Sequence, residues 1–201
     1  MRPFPIGVSP FRVKGVSYRN FLAYVDEQLP GGRDALIESI ADHHLRSFAG
    51  QAFLPSSWYD TYPMMDLCAA AGRRLNMPAL ELAGEVARFG VKRDATGIYR
   101  LLLLVTSPDR LLERAANTAK QYFDFVVTDV EKTGRKVYRL THSGVPGFAI
   151  DYCISVGEAF WQEALNLVGA SGVEQHWSAP VAMGSKHGLT IFRLERTILW
   201  R

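Results

Sequence analysis

The chain has 201 residues, 48% of them apolar and 21% charged, with a formal net charge of +3. That length fits one domain able to bury well over half of its unfolded surface, and the composition excludes disorder. The basic residues are scattered beside acids, as in Asp109-Arg110 and Glu113-Arg114, so the clustered footprint of a nucleic-acid binder is missing.

Residues 1–16 carry early prolines and no apolar h-region, and read as an extended arm rather than a signal peptide. With no apolar run long enough to span a bilayer, a cytoplasmic location is expected. Ser17 is placed to cap a helix through Phe21, Leu22, Val25 and Leu29, ended by Pro30-Gly31-Gly32. A second helix is expected from about Asp34 to Gly50. Leu54 to Asp60 reads as a loop, and Pro63 opens a third helix carrying Met64, Leu67, Cys68 and Leu75. From Met77 to Val105 the spacing is again helical, in two pieces meeting at Gly90 or Gly97. Ser107-Pro108-Asp109 marks the start of another helix, with serine as cap and proline in the first turn.

The pattern changes after residue 124. Phe125 to Val130 and Lys136 to His142 are β-branched and aromatic runs around Thr133-Gly134, a hairpin signal. Pro146 opens a long helix to about Val168, and Val173 to Ala179 and Leu189 to Trp200 alternate as strands, with Pro180 to Gly188 as the loop between them. The expected fold class is α+β: a mainly helical part over 17–124, then ββαββ over 125–201. It forms a four-stranded antiparallel sheet with helices packed on one face.

The helix after Pro146 is the most informative. Asp151, Ser155, Glu158, Gln162 and Asn166 form one narrow polar stripe, and the rest of the circumference is apolar. A surface helix usually shows a much narrower apolar sector, so something besides the sheet must cover this one. The candidates are the N-terminal helices, a second copy of the chain, or a bound ligand. As cavity-lining residues we single out Trp58, Tyr59, Tyr99 and Tyr122, together with Phe148, Tyr152, Cys153 and Phe160; as interface residues, Ile150, Ile154, Trp161 and Leu165. Taken one at a time, most of the aromatics read first as ordinary core.

Catalytic and metal signatures are missing. Neither a phosphate-binding glycine loop nor a Gly-x-Ser-x-Gly elbow is found. Cys68 and Cys153 are far apart in apolar stretches and read as reduced, buried thiols. His43 and His44 are helical neighbours pointing about 100° apart, unsuited to sharing one metal. His142-Ser143-Gly144 reads as a turn at a strand end, His176 and His187 have no ligand at metal spacing, and the pairs Glu81/Glu85 and Asp26/Glu27 read as solvated helix faces. An enzyme reading would require buried titratable groups converging on a cavity.

Val13-Lys14-Gly15, Ser57-Trp58-Tyr59, Gly97-Ile98-Tyr99-Arg100-Leu101 and Ser107 to Leu112 carry a resemblance, joined by Tyr122-Phe123-Asp124 and Ala164 to Ala170. Through them the chain resembles an uncharacterised myxobacterial family of about 200 residues. That family is distantly similar to the superfamily of haem-NO-binding domains, four-vinyl-reductase domains and Golgi transport-particle subunits. The resemblance implies helices followed by hairpin, helix and hairpin, a pocket between helices and sheet for an acyl chain or tetrapyrrole-like ligand, and a homodimer. The Tyr-x-Ser-x-Arg motif of the haem branch is missing, so haem is not expected. No cysteine lies between Gly172 and Arg201, so the cysteines of the four-vinyl-reductase branch are missing too. The expected function is that of a noncatalytic sensory or adaptor domain for an apolar small molecule, used in signalling. The alternative is a protein-interaction module or homodimeric scaffold.

Overall fold

A computed structural model describes residues 2–95 and 107–201. Strand β1 (Arg12–Lys14) leads into α1 (Gly15–Gln28), α2 (Gly32–Ser39) and α3 (His43–Ala49), then β2 (Trp58–Asp60), α4 (Tyr62–Leu75) and α5 (Ala79–Ala95). After the undescribed stretch come α6 (Pro108–Glu113), α7 (Ala115–Tyr122), β3 (Val127–Gly134) and β4 (Val137–Pro146). A short 3-10 turn then enters α8 (Ile150–Leu167), and β5 (Glu174–Trp177), β6 (Val181–Lys186) and β7 (Leu189–Leu199) complete the chain.

The expected N-terminal boundaries shift for local reasons. The arm is pinned rather than loose: its β1 pairs antiparallel with β2, and Phe11 is fully buried. The Asp60 carboxylate collects the backbone N–H groups of Gly7 and Tyr62, each at 2.9 Å, while the Tyr18 hydroxyl donates to the Asp60 carbonyl at 2.6 Å. The expected loop around Trp58 and Tyr59 is therefore partly strand. The single helix expected from Asp34 to Gly50 is two, because Asp42 leaves the helix and caps the next one, its carboxylate accepting from His44 N and Leu45 N at 2.9 and 3.2 Å. Helix α5 runs unbroken through Gly90, while Gly97 and Tyr99 fall outside the described residues. Ser107 caps α6 as expected, accepting from Arg110 N at 3.3 Å.

The α+β class and the antiparallel sheet hold, but the sheet has five strands rather than four. β4 lies between β3 and β7, and the far edge of long β7 is shared by β5 and β6. β6 replaces the expected loop over 180–188. All six of its residues are exposed, so it shows no apolar alternation to read. The inner sheet face, with Tyr138, Leu140, Leu194 and Ile198 buried, meets the helices. The outer face carries Arg139, which reaches Glu131 and Glu195 at 3.1 and 3.9 Å.

Helix α8 has its second cover from within the chain. Besides the sheet it packs against α5, where Gly84 would bring a Cβ to 3.4 Å from the Ala159 Cβ and the Ser155 Oγ. Ser155 donates to the Leu80 carbonyl at 2.5 Å, and Lys92 reaches Glu163 at 3.5 Å further along the same seam. Of the proposed interface positions, Leu165 and Trp161 are buried in a cluster with Leu112, Leu140 and Ile198. Ile150 and Ile154 pack half-buried against a cluster around Phe11 and Phe125.

One strand irregularity shapes the site. Register slips between Ser143 and Val145, where Gly144 takes φ +89° and a Cβ would lie 2.4 Å from the Phe125 carbonyl. A side chain there meets both left-handed backbone strain and a rigid oxygen. Gly144→Ala is expected to lose about 2 kcal/mol in urea denaturation. An unchanged midpoint would contradict the close approach.

Candidate functional site

Helices α5, α7 and α8 and the inner sheet face do not close completely on one another. They leave a cavity of about 130 Å³, with Ser17 and Asn20 of α1 and Met64 and Cys68 of α4 at its helical end. The reason is residue size: α5 presents Ala83, Ala87 and Gly90 and α7 presents Ala115 and Ala119, so small side chains face the larger Val156 and Phe160 of α8. Gly90 also admits Asn20, whose Nδ2 would lie 2.7 Å from a Cβ at that position. The helical walls are mostly apolar, as expected for a small-molecule site.

The sheet end is polar. Three strands bring His142 (β4), Trp177 (β5) and Arg196 (β7) onto one face, with Leu140, Arg196 and Trp177 opposite one another across the pairs. His142 is not the turn residue expected from Ser143-Gly144. It lies within β4, opposite Thr128, whose Oγ1 is 2.8 Å from its Nδ1. Arg196 is 1% exposed, its Cζ is 4.8 Å from the Trp177 ring centre and 5.9 Å from that of Trp161, and its Nη1 donates to Gln175 Oε1 at 3.0 Å. Gly157 makes room for it, since a Cβ there would lie 3.2 Å from Nη1.

This corner is underpaired. His142 Nε2, Trp177 Nε1 and Arg196 Nε are all buried without a hydrogen-bond partner, in an interior where such groups are nearly always satisfied. No ion pair to Arg196 occurs among the described residues; Glu158 acts on it only at longer range. Burial pulls the Arg196 pKa down to about 9, leaving it charged at neutral pH, and burial helped by the Arg196 charge pulls His142 down to about 3, leaving it neutral. Burial also pushes the Cys68 and Cys153 thiols up to about 12, so neither is a nucleophile near neutrality.

Of the cavity-lining residues singled out in the sequence, Tyr122, Tyr152, Cys153 and Phe160 come together here. Trp161 joins them, although the sequence had placed it at an interface. Trp58, Tyr59 and Phe148 lie elsewhere. Lys14 covers the Trp58 ring at 4.0 Å, Tyr59 accepts from Leu54 N at 2.8 Å, and Phe148 packs on Phe11 and Tyr62. The polar corner itself was missed. Its signal was present in the alternation of β7, where Arg196 occupies an inward position between Leu194 and Ile198.

Other candidate groups are engaged away from the cavity. Glu85 pairs with Arg88 at 2.5 Å, Asp26 pairs with Arg33, and His43, His44, His176 and His187 are exposed. No cluster of three potential metal ligands occurs among the described residues, and no helix among them is long and apolar enough to cross a membrane.

No family model matches the chain, and no curated protein matches it significantly. Solved structures do match. One from work on haem distortion in the H-NOX family superimposes with a TM-score of 0.68 at 12% identity, covering 94% of this chain and 95% of the other. A T. tengcongensis H-NOX mutant gives 0.67 at 10% identity over 94% and 97%. An oxygen-binding H-NOX domain related to soluble guanylate cyclases gives 0.64 at 12% over 93% and 92%. Nearly the full length of both chains is shared, at identities that speak for architecture alone, and the fold of this protein is that of the H-NOX domains.

Proposed function

We propose that the chain is a noncatalytic sensory or adaptor domain whose cavity takes an apolar small molecule between helices and sheet, with Tyr122, Tyr152, Cys153 and Phe160 among the residues touching it. The observation that carries this reading is the mostly apolar, part-open space between α5, α7, α8 and the sheet. The architecture supports it, since an oxygen-binding H-NOX domain, which holds a small molecule, shares this fold. Kinship with the myxobacterial family and a role in signalling belong to the same proposal.

Haem is not the ligand this reading favours, since the chain also carries no Tyr-x-Ser-x-Arg motif. At about 130 Å³ the cavity is close to the roughly 150 Å³ engineered cavity that holds one benzene, whereas a porphyrin carries four pyrrole rings. Catalysis is disfavoured on different grounds. Buried titratable groups do converge on the cavity, which is the signature an enzyme would give. Their pKa values, however, are driven away from neutrality: His142 at about 3 is too weak a base and the thiols at about 12 too weak as acids for proton transfer near pH 7.

Native mass spectrometry and an absorbance spectrum of freshly purified protein test the reading, joined by thermal shift with toluene. A small organic adduct, or stabilisation of about 2.7 kcal/mol at a hundredfold excess of toluene over its Kd, is the expected result, with no Soret band. Stoichiometric haem would overturn the ligand class. No adduct and no response to toluene would overturn the reading itself.

A further inference from the structure

The ligand of this cavity needs more than an apolar body. Three polar atoms at its sheet end have no hydrogen-bond partner, and the most costly belongs to a buried guanidinium that no carboxylate among the described residues pairs with. Its Cζ lies over the Trp177 and Trp161 rings and its Nη1 donates to Gln175, which leaves the buried Nε–H to donate. Planar carboxylates are the natural acceptors of that geometry.

Resting on the cavity reading above, we propose that the cavity binds a small monocarboxylate: an apolar body about the size of one aromatic ring or a short acyl chain against Val86, Ala119, Val156 and Phe160, and a carboxylate against Arg196, with Trp177 and His142 completing its contacts. The single positive charge selects a monoanion, because a phosphate or sulfate dianion would leave net negative charge against mostly apolar walls. Trp177 Nε1–H is a donor already. His142 becomes one without being protonated: if the Thr128 hydroxyl donates to Nδ1, the neutral ring carries its hydrogen on Nε2. Gly157 is the permissive residue, since any side chain there presses on the guanidinium.

Calorimetric titration of the full chain with benzoate, benzyl alcohol and toluene tests this, in the native sequence and in Arg196→Met. In the native protein benzoate is expected to bind at least tenfold more tightly than benzyl alcohol. In Arg196→Met benzoate affinity should fall ten- to a hundredfold with toluene affinity retained, the loss of one charge-assisted hydrogen bond being about that size. Toluene binding also reports that the variant is folded. Benzoate no tighter than benzyl alcohol in the native protein, or benzoate unaffected by Arg196→Met, overturns the carboxylate proposal and leaves the apolar site standing. Failure of all three probes overturns both. The native benzoate-to-alcohol ratio needs no variant, so a misfolded Arg196→Met protein would not shield the proposal, and Trp177→Phe supplies a second, smaller expected loss of several-fold.

Discussion

Stability of the native protein should fall by several kcal/mol as the pH drops from 6.5 towards 3, and His142→Gln should remove most of that slope. In the folded chain His142 is buried beside Arg196 and takes a proton only at about pH 3, against an ordinary value of 6.5. Between those values the unfolded chain binds a proton that the folded chain refuses. Stability is thus fully present above 6.5 and is lost as the pH falls towards 3. At about 1.4 kcal/mol per pKa unit the loss is on the order of 5 kcal/mol, a large part of the margin of an ordinary domain. Asp26 and Asp109, held low by Arg33 and Lys132, also lose stability in acid, but only below the usual carboxylate value and equally in both proteins. Urea denaturation at pH 7, 5.5 and 4 isolates the difference. Parallel curves for the two proteins would mean that His142 is not enclosed as described.

The parts of this fold that were legible in the sequence are those fixed by local chemistry. The Ser107-Pro108 helix start and the alternation of β7 each depend on a few adjacent residues and are found where they were expected; the hairpin is also there, but its first strand runs on through Gly134 and the turn falls at Arg135-Lys136. β6 was not legible because a strand exposed on both faces shows no period, and the break at Asp42 was missed because a capping carboxylate inside an apolar repeat looks like one polar position among others. The excess apolar surface of α8 was readable, whereas what covers it was not. That depends on α5 coming close at Gly84, a contact between residues some seventy positions apart. The polar corner lay between these cases. Inward Arg196 could be read from period 2 alone, but its meeting with His142 and Trp177 needs the register of three strands.

Replacing Arg196 by methionine is expected to stabilise the ligand-free protein by about 1–3 kcal/mol while weakening benzoate binding. Removing a buried charge is ordinarily costly because a partner is left behind, but among the described residues Arg196 has no ion-pair partner to strand, Glu158 acting only at longer range. Burial already disfavours the charged guanidinium enough to bring its pKa from 12.5 to about 9. Against that gain stand two losses: contact of the cation with the Trp177 and Trp161 faces, about 0.5–2 kcal/mol, and the hydrogen bond to Gln175, about 1 kcal/mol, whose oxygen is only half-buried and can turn to water. Methionine keeps an unbranched stem of similar length and leaves no polar atom to desolvate. The variant should also raise the His142 pKa, since the neighbouring charge is one of the two causes of its depression. Its acid slope should therefore be shallower than that of the native protein. A net loss of stability would show that the tryptophans and Gln175 satisfy the guanidinium by themselves. A gain accompanied by loss of the carboxylate ligand is what a residue kept for binding at the expense of stability should show.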